Sequence, residues 1–202
     1  MPMVLNVGGG GKDIPLPPHY AGWEPLLLDI DDRRDADLIC DARLIGEKFL
    51  PNSYEAVYCS HNLEHYYPHD VKKVLKGFLH VLTAEGFAEI RVPDVGELIK
   101  LLVTEKLDIE HEIYRSSAGP ISAHDIIYGY GREIEESGQD YFAHKSGFTQ
   151  TSLGWALLSN GFAEIYFTEP LGVFELRAFA FKNSASADCK KNLSLGEKFL
   201  PT

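Results

Sequence analysis

Four consecutive glycines, Gly8–Gly11, follow the apolar segment Val4–Val7 near the start of the chain. Glycines placed directly after a first strand allow a ligand to approach the backbone closely. Three prolines then occupy the positions where a crossover helix would run, namely Pro15, Pro17 and Pro18. Proline has no amide hydrogen to donate and disrupts helices. We therefore expect a ligand-binding loop that is not followed at once by a helix.

Short apolar segments alternate with helical patterns along the rest of the chain, which is typical of a parallel sheet covered on both faces. We predict an α/β fold with a Rossmann-like, doubly wound, seven-stranded and mostly parallel sheet. Few turn residues separate the last two strands, so they are expected to form a C-terminal antiparallel hairpin. The predicted strands are Val4–Val7, Leu26–Ile30, Ala36–Cys40, Ala56–Ser60, Phe87–Val92, Ala163–Phe167 and Glu175–Lys182.

The spacing of apolar residues also predicts helices and a division of the chain. Apolar residues from Val71 to Leu82 recur at helical intervals, and we expect this helix to end at a left-handed Gly86. Residues 109–150 show no regular pattern and are interpreted as a lid and substrate-pocket insertion within a domain spanning residues 1–182. The polar residues 183–202 are expected to form a loosely held tail.

Charge and cysteine content exclude several classes of protein. The 202 residues carry a formal net charge of −11 and contain no long basic run, which argues against a nucleic-acid partner. Three widely spaced cysteines indicate free thiols in a reducing compartment. No apolar run is long enough to span a bilayer. We expect a cytoplasmic protein with a small-molecule partner and no membrane partner, while the oligomeric state stays open.

Two acids are predicted to end neighbouring strands and to define the ligand. Asp29 ends the second strand, where a carboxylate can accept hydrogen bonds from both hydroxyls of a ribose. Asp41 ends the third strand and can accept from an exocyclic amine. Together with the glycines, these acids describe an adenosine ligand without phosphates, which S-adenosylmethionine fits. A dinucleotide is disfavoured, because Asp13 stands where the G-x-G-x-x-G pattern requires its last glycine.

Several motifs in this order resemble the class I S-adenosylmethionine-dependent methyltransferases, in particular a bacterial branch of predicted methyltransferases. The match extends from Met3 to Lys182 and implies that residues 1–182 form a methyltransferase domain. The motifs are "LNVGGGG", "GWEPLLLDI", "ADLICDARLIGEKFLPNSYEAVYCSHNLEHY", "EIRVPD" and "HKSGFTQTSLGWALLSNGF".

The resemblance implies a set of cofactor contacts, which includes the backbone along the methionine part, an acid on the ribose and residues around the adenine. These residues are Asn6, Gly8, Gly10, Asp29, Ile30, Asp41, Ala42, Ser60 and His61. Asn6 replaces the acid that is usual at its position in the family, which removes a negative charge beside the cofactor. A methyltransferase-like module that binds the cofactor without turnover therefore stays open as an alternative. An NAD(P)-dependent dehydrogenase is a weaker one.

Methyl transfer depends mainly on orientation, and a general base is needed only when the acceptor must lose a proton. His61 follows the fourth strand directly, and the resemblance places the segment of His144 over the mouth of the site. Both are therefore candidate catalytic residues. His61, Glu64 and His65 also suggest a metal ligand set, but without a fourth partner they predict no metal site. The acceptor atom, oxygen or nitrogen, stays open.

Overall fold

The computed structural model describes residues 1–116 and 119–201. Residues 117 and 118 of the predicted insertion, and residue 202 of the predicted tail, lie outside the described residues. Nine strands are present in the described ranges: β1 (Met3–Val7), β2 (Glu24–Asp29), β3 (Leu38–Ile39), β4 (Tyr54–Ser60), β5 (Leu82–Pro93), β6 (Glu112–Ser116), β7 (Gly119–Ser122), β8 (Glu164–Thr168) and β9 (Glu175–Phe181).

Seven of these strands form one sheet, in the order β3-β2-β1-β4-β5-β9-β8. Strands β1 to β5 are all parallel to one another, whereas β9 runs antiparallel to both β5 and β8. The predicted seven-stranded, mostly parallel sheet and its C-terminal hairpin are therefore confirmed. The strand order reverses on either side of β1, and open α/β sheets bind ligands at such a point, beyond the carboxyl ends of the strands. Strands β6 and β7 form a separate antiparallel pair.

Helices connect the strands. The α-helices of the described ranges are α1 (Ile45–Lys48), α2 (Pro68–Val81), α3 (Val95–Glu105), α4 (Ala123–Tyr128), α5 (Gly131–Ser137), α6 (Gln150–Ser159) and α7 (Ala187–Asn192). The connection from β1 to β2 holds only a three-residue 3₁₀ turn, Pro18–Tyr20, as its prolines predict. None of the described helices has the length and apolar character needed to cross a membrane.

The two faces of the sheet are covered differently. One face packs against α1, α2 and α6, where Phe78, Leu153 and Leu157 are fully buried. The other face is largely aromatic and is covered by the proline-rich connection and by α7. Its buried members are Val4, Tyr20, Ala56, Tyr58, Phe87, Tyr166, Phe179 and Phe181. Strand residues alternate between the faces, so both sides of the sheet hold a core.

The predicted left-handed end of the second helix is wrong. Helix α2 ends at Val81, and β5 begins at the next residue, Leu82. Gly86 lies inside that strand, and a Cβ placed on it would lie 3.1 Å from the carbonyl oxygen of Glu55. This glycine therefore provides close approach of two strands and does not cap a helix.

Residues 183–201 contact both faces of the fold. Cys189 of α7 and Leu195 pack on the aromatic face. Phe199 packs beside α6, where its ring occupies the space that a Cβ on Gly154 would fill. The amide of Phe199 also donates to the carbonyl of Ile165 at 2.7 Å. The segment predicted to be a loose tail thus carries a helix and specific contacts.

Candidate functional site

A cavity of about 420 Å³ opens at the carboxyl ends of β1, β2 and β4. Its volume suits a small organic ligand. The lining combines glycine backbone, charged side chains and aromatic rings. The lining residues are Gly8, Gly10, Asp29, Ile30, Asp31, Arg34, Asp41, Arg43, His61, Asn62, His65, Tyr66, Tyr67, Asp70, Asp140, Tyr141, Phe142 and Lys145.

The glycine loop brings bare backbone to this cavity. Gly8 and Gly10 have φ angles of +69° and +74°, in the left-handed region that favours glycine. The amide of Gly8 donates to the carbonyl of Leu28 at 2.8 Å, which ties the loop to β2. A Cβ on Gly8 would overlap the side chain of Asn62. The loop therefore needs glycine for its conformation and for its close packing.

Asp29 is a buried carboxylate that ends β2 at the edge of the cavity. Its Oδ1 accepts a hydrogen bond from the amide of Asp31 at 2.9 Å. Among the lining carboxylates of the described residues, Asp29 alone has no ion pair. The other four each lie within 4.0 Å of a basic side chain: Asp31, Asp41, Asp70 and Asp140. Asp29 thus keeps acceptor capacity for a bound molecule.

Asp41 lies in the same cavity, but its carboxylate already has a strong partner. The Nε of Arg43 donates to Asp41 Oδ2 at 2.9 Å, and Arg43 Nη1 donates to Asp70 Oδ2 at 3.2 Å. Burial alone would raise the pKa of Asp41, but the hydrogen bonds from Arg43 lower it. A ligand amine would therefore compete with Arg43 for this carboxylate.

His61 follows β4 and adopts a left-handed conformation, with a φ of 49°. Its Nε2 lies 3.0 Å from Oε2 of Glu175, and its Nδ1 lies 3.5 Å from Oε1 of Glu64. Burial would lower the pKa of the imidazole, but its contacts with these two acids raise that pKa to about 9. His61 is therefore a cation at neutral pH, with about half of its side chain exposed (47%).

Glu175 is held by several donors at the start of β9. Besides His61, Arg91 Nη2 donates to Glu175 Oε2 at 2.6 Å, and the Leu171 amide donates to Oε1 at 2.9 Å. Burial would raise the pKa of this carboxyl, but the hydrogen bonds from His61 and Arg91 lower it to about 2. Since β9 is antiparallel, its first residue lies at the edge where the parallel strands end. The sequence contained no signal for this contact.

The end of the predicted insertion supplies one wall of the cavity. Asp140, Tyr141, Phe142 and Lys145 all line it. Arg33 Nη2 donates to the Tyr141 hydroxyl at 3.2 Å, which joins this wall to the loop after β2. In the segment "DYFAHKSGF", the predicted site residue is His144. The residues of this segment that line the cavity are its neighbours and not His144 itself.

Not every predicted site residue reaches the cavity. Six of the nine predicted cofactor residues line it, whereas Asn6, Ala42 and Ser60 do not. Asn6 lies beneath the glycine loop, where a Cβ on Gly9 would overlap its amide. Ala42 is buried behind Asp41, and Ser60 ends β4.

The candidate catalytic residue His144 lies behind the cavity wall and does not line it. Its Nδ1 donates to the carbonyl of Ile126 at 3.0 Å, and its Nε2 lies 3.9 Å from Oε1 of Glu64. Burial lowers the pKa of this ring.

The geometry disfavours a dinucleotide. A pyrophosphate needs the N-terminus of a helix that starts at the glycine loop. Here the loop leads through prolines to the short turn Pro18–Tyr20, so no helix end faces the cavity from this side. The cavity instead combines backbone, one unpaired acid and aromatic rings.

Comparison with known proteins places the fold. No protein-family model matches the sequence, and no curated protein matches it. Among solved structures, a SAM-dependent methyltransferase from Archaeoglobus fulgidus superposes with a TM-score of 0.56 at 15% identity, covering 90% of this chain and 86% of that one. A SAM-dependent methyltransferase from Methanosarcina mazei gives 0.53 at 13% identity, covering 89% and 90% of the two chains.

A third similar structure is a 1,6-didemethyltoxoflavin-N1-methyltransferase from Burkholderia thailandensis, solved with 1,6-didemethyltoxoflavin and S-adenosylhomocysteine. It superposes with a TM-score of 0.52 at 16% identity and covers 90% of this chain and 71% of that one. The chain therefore has the fold of the class I S-adenosylmethionine-dependent methyltransferases. The resemblance of the sequence motifs and the similarity of the structures agree on this fold.

Proposed function

We propose that this protein binds S-adenosylmethionine and transfers its methyl group to an oxygen or nitrogen atom of a small molecule. The observation that carries the proposal is Asp29, a buried acid without an ion pair beside the glycine loop. A ribose offers two hydroxyl donors to such a carboxylate. The similar Burkholderia structure holds a small-molecule ligand and S-adenosylhomocysteine, which supports the same pair of ligand classes here.

The residues present fit this cofactor. The positive φ angles of Gly8 and Gly10 leave a cradle without side chains for its methionine part. Asp29 would hold the ribose, and Ile30 would lie against the adenine. When bound, the cofactor supplies a methyl group already activated by a sulfonium. The protein then has to align the acceptor atom with the methyl group and to exclude water from the site.

The charge state of His61 favours a contact role for this residue. An imidazolium donates hydrogen bonds and has no free lone pair with which to take a proton. His61 therefore fits a position beside the cofactor, where it can face the carboxylate of the methionine part. Lys145 is a further cationic side chain in the cavity lining, beside Arg34 and Arg43.

Calorimetric titration with S-adenosylhomocysteine tests cofactor binding directly. Asp29→Asn keeps the shape and the acceptor for the Asp31 amide, but it removes the charge. Hydrogen bonds to charged groups contribute about 1.5–3 kcal/mol, so binding should weaken by roughly 10- to 100-fold. Asp32→Asn is the matched control, because Asp32 is an exposed acid three positions away. Absence of binding by the wild-type protein would remove the proposal.

A module that binds the cofactor without turnover is the second candidate. The buried Asn6, whose Oδ1 has no hydrogen-bond partner among the described residues, is the observation that favours it. Binding of S-adenosylhomocysteine without methyl transfer to a broad set of hydroxyl and amine acceptors would support this candidate over the enzyme. Restoring an acid with Asn6→Asp should then tighten cofactor binding.

A further inference from the structure

Three side chains that could ligate a metal meet beside the cavity. Glu64 and His65 belong to the 3₁₀ turn Leu63–His65 after β4, and His144 comes from the insertion. One ligand atom from each lies within 4.8 Å of the others. The sequence separates Glu64 from His144 by eighty residues, so only the fold brings them together.

Glu64 has an unusual environment for a carboxylate. Its side chain is 1% exposed, and neither carboxylate oxygen has a hydrogen-bond partner among the described residues. The nearest cationic group is His61 Nδ1 at 3.5 Å, which is longer than the usual hydrogen bond of about 2.7–3.2 Å. A buried carboxylate without hydrogen bonds is costly, and a bound ion is one of the few ways to satisfy it.

Both histidine rings are oriented as metal ligands usually are. His65 Nδ1 donates to the carbonyl of Ala143 at 3.2 Å, and His144 Nδ1 donates to the carbonyl of Ile126 at 3.0 Å. A carbonyl only accepts, so each Nδ1 carries the hydrogen and each Nε2 keeps its lone pair. Backbone carbonyls fix ligating histidines in this way in many metal sites.

We propose that Glu64, His65 and His144 bind one divalent ion of the Zn²⁺ type. Two imidazoles and one carboxylate form a ligand set that catalytic zinc sites use, with a fourth position left for water or substrate. Ligands at about 2.0–2.1 Å from a tetrahedral ion lie about 3.4 Å apart, so small side-chain rotations close the observed 4.8 Å spacing. Two imidazole nitrogens disfavour Mg²⁺ and Ca²⁺, which are hard cations that prefer oxygen ligands.

The ion would lie where an acceptor can reach it, because His65 also lines the cavity. Its role in catalysis rests on the proposed function, whereas the metal site itself does not. A coordinated acceptor hydroxyl would release its proton to solvent at a lowered pKa. The acceptor oxygen would then form a bond to the methyl carbon of the cofactor while the carbon–sulfur bond broke, and that electron pair would stay on sulfur. No separate general base is needed for this step.

Calorimetric titration of the chelator-treated full chain with Zn²⁺ tests the site. We expect uptake of one ion per chain, and a Co²⁺-loaded sample should show the visible absorption of a four-coordinate ion. Glu64→Gln and His144→Gln should each weaken Zn²⁺ binding by about 100-fold or more. His111→Gln is the control, since His111 is exposed and outside the cluster. Thermal unfolding confirms that each variant is folded.

Each outcome decides the proposal. No stoichiometric Zn²⁺ uptake by the wild-type protein, or undiminished uptake by the folded Glu64→Gln variant, would overturn it. The wild-type Co²⁺ spectrum decides the question even where a variant does not fold. Titration of the same samples with S-adenosylhomocysteine separates the two proposals. If the protein binds S-adenosylhomocysteine but takes up no Zn²⁺, only the metal site is contradicted. If it takes up Zn²⁺ but does not bind S-adenosylhomocysteine, only the proposed function is contradicted.

Discussion

Asp29 and Asp41 end neighbouring strands, yet their carboxylates have different partners. Because the carboxyl ends of parallel strands meet at one edge, the sequence could predict that both acids face one cavity. It could not predict that Arg43 folds back onto Asp41, since this contact depends on the 3₁₀ turn that starts at Ala42. Nor could it pair Glu64 with His144, because a contact between distant segments leaves no local pattern. Single acids were therefore predictable, and their partners were not.

Glu175 gives a prediction at the scale of one residue. Its pKa of about 2 lies below the ordinary 4.5, so its ionised form stabilises the folded state above pH 4.5. That contribution, about 3 kcal/mol at 1.36 kcal/mol per pKa unit, is lost as pH falls from 4.5 through 2. Urea unfolding at several pH values should show this fall in the wild type and a flatter profile in Glu175→Gln.

The control for this experiment is Glu47→Gln. Glu47 is an exposed acid of α1, and its replacement should leave the acid-side slope of the wild type unchanged. Equal slopes in the Glu175→Gln variant and the wild type would show that the contacts with His61 and Arg91 do not stabilise the ionised carboxyl.

Strands β5 and β9 show why an element can be predicted while its surroundings are not. The sequence predicted both strands, but it gave no partners for their charged side chains. Arg91 lies directly opposite Arg177 in the register, but each arginine binds a glutamate diagonally, Arg91 to Glu175 and Arg177 to Glu89. Both carboxylates are buried. These cross-strand ion pairs therefore hold two strands together inside the fold.

This arrangement can be tested by comparing two ion pairs that each join an arginine Nε to a glutamate Oε1, one buried and one exposed. Arg177 Nε lies 2.8 Å from the fully buried Glu89, and Arg132 Nε lies 2.7 Å from the exposed Glu136. Arg177→Met should destabilise the protein by about 3 kcal/mol, because it leaves a buried charge with one partner fewer. Arg132→Met should cost less than 1 kcal/mol. Chemical unfolding measures both, and equal losses would contradict the assigned role of β5 and β9.

At the scale of the whole molecule, segments outside the predicted sheet complete both the core and the cavity. The regular pattern of the strands made the sheet predictable. The polar composition of residues 183–202 gave no sign that Phe199 would pack beside α6. The irregular composition of residues 109–150 likewise concealed which of its members face the cavity. Such contacts join a few side chains that are far apart in the sequence, so the periodic pattern of apolar residues does not predict them.

Phe199 and its neighbour Leu200 form a matched pair for testing the tail. Phe199 is partly buried against Gly154, whereas Leu200 is 70% exposed. Phe199→Ala should lower the free energy of unfolding by about 2 kcal/mol, part of the cost of truncating a fully buried phenylalanine. Leu200→Ala should change it by less than about 0.5 kcal/mol. Similar values for both variants would mean that the tail contributes little to the stability of the domain.

Because β9 runs antiparallel to β5 and begins at the cavity edge, the charges at that edge depend on the register between these two strands. Side chains of a strand alternate between faces, so a shift of one residue between β9 and β5 would turn Glu175 and Arg177 to the opposite side of the sheet. Arg91 and Glu89 would lose their acidic and basic neighbours together, and His61 would lose its contact as well. An insertion or deletion between β8 and β9 that shifts this register would thus change the charges around the cavity without replacing any residue that lines it.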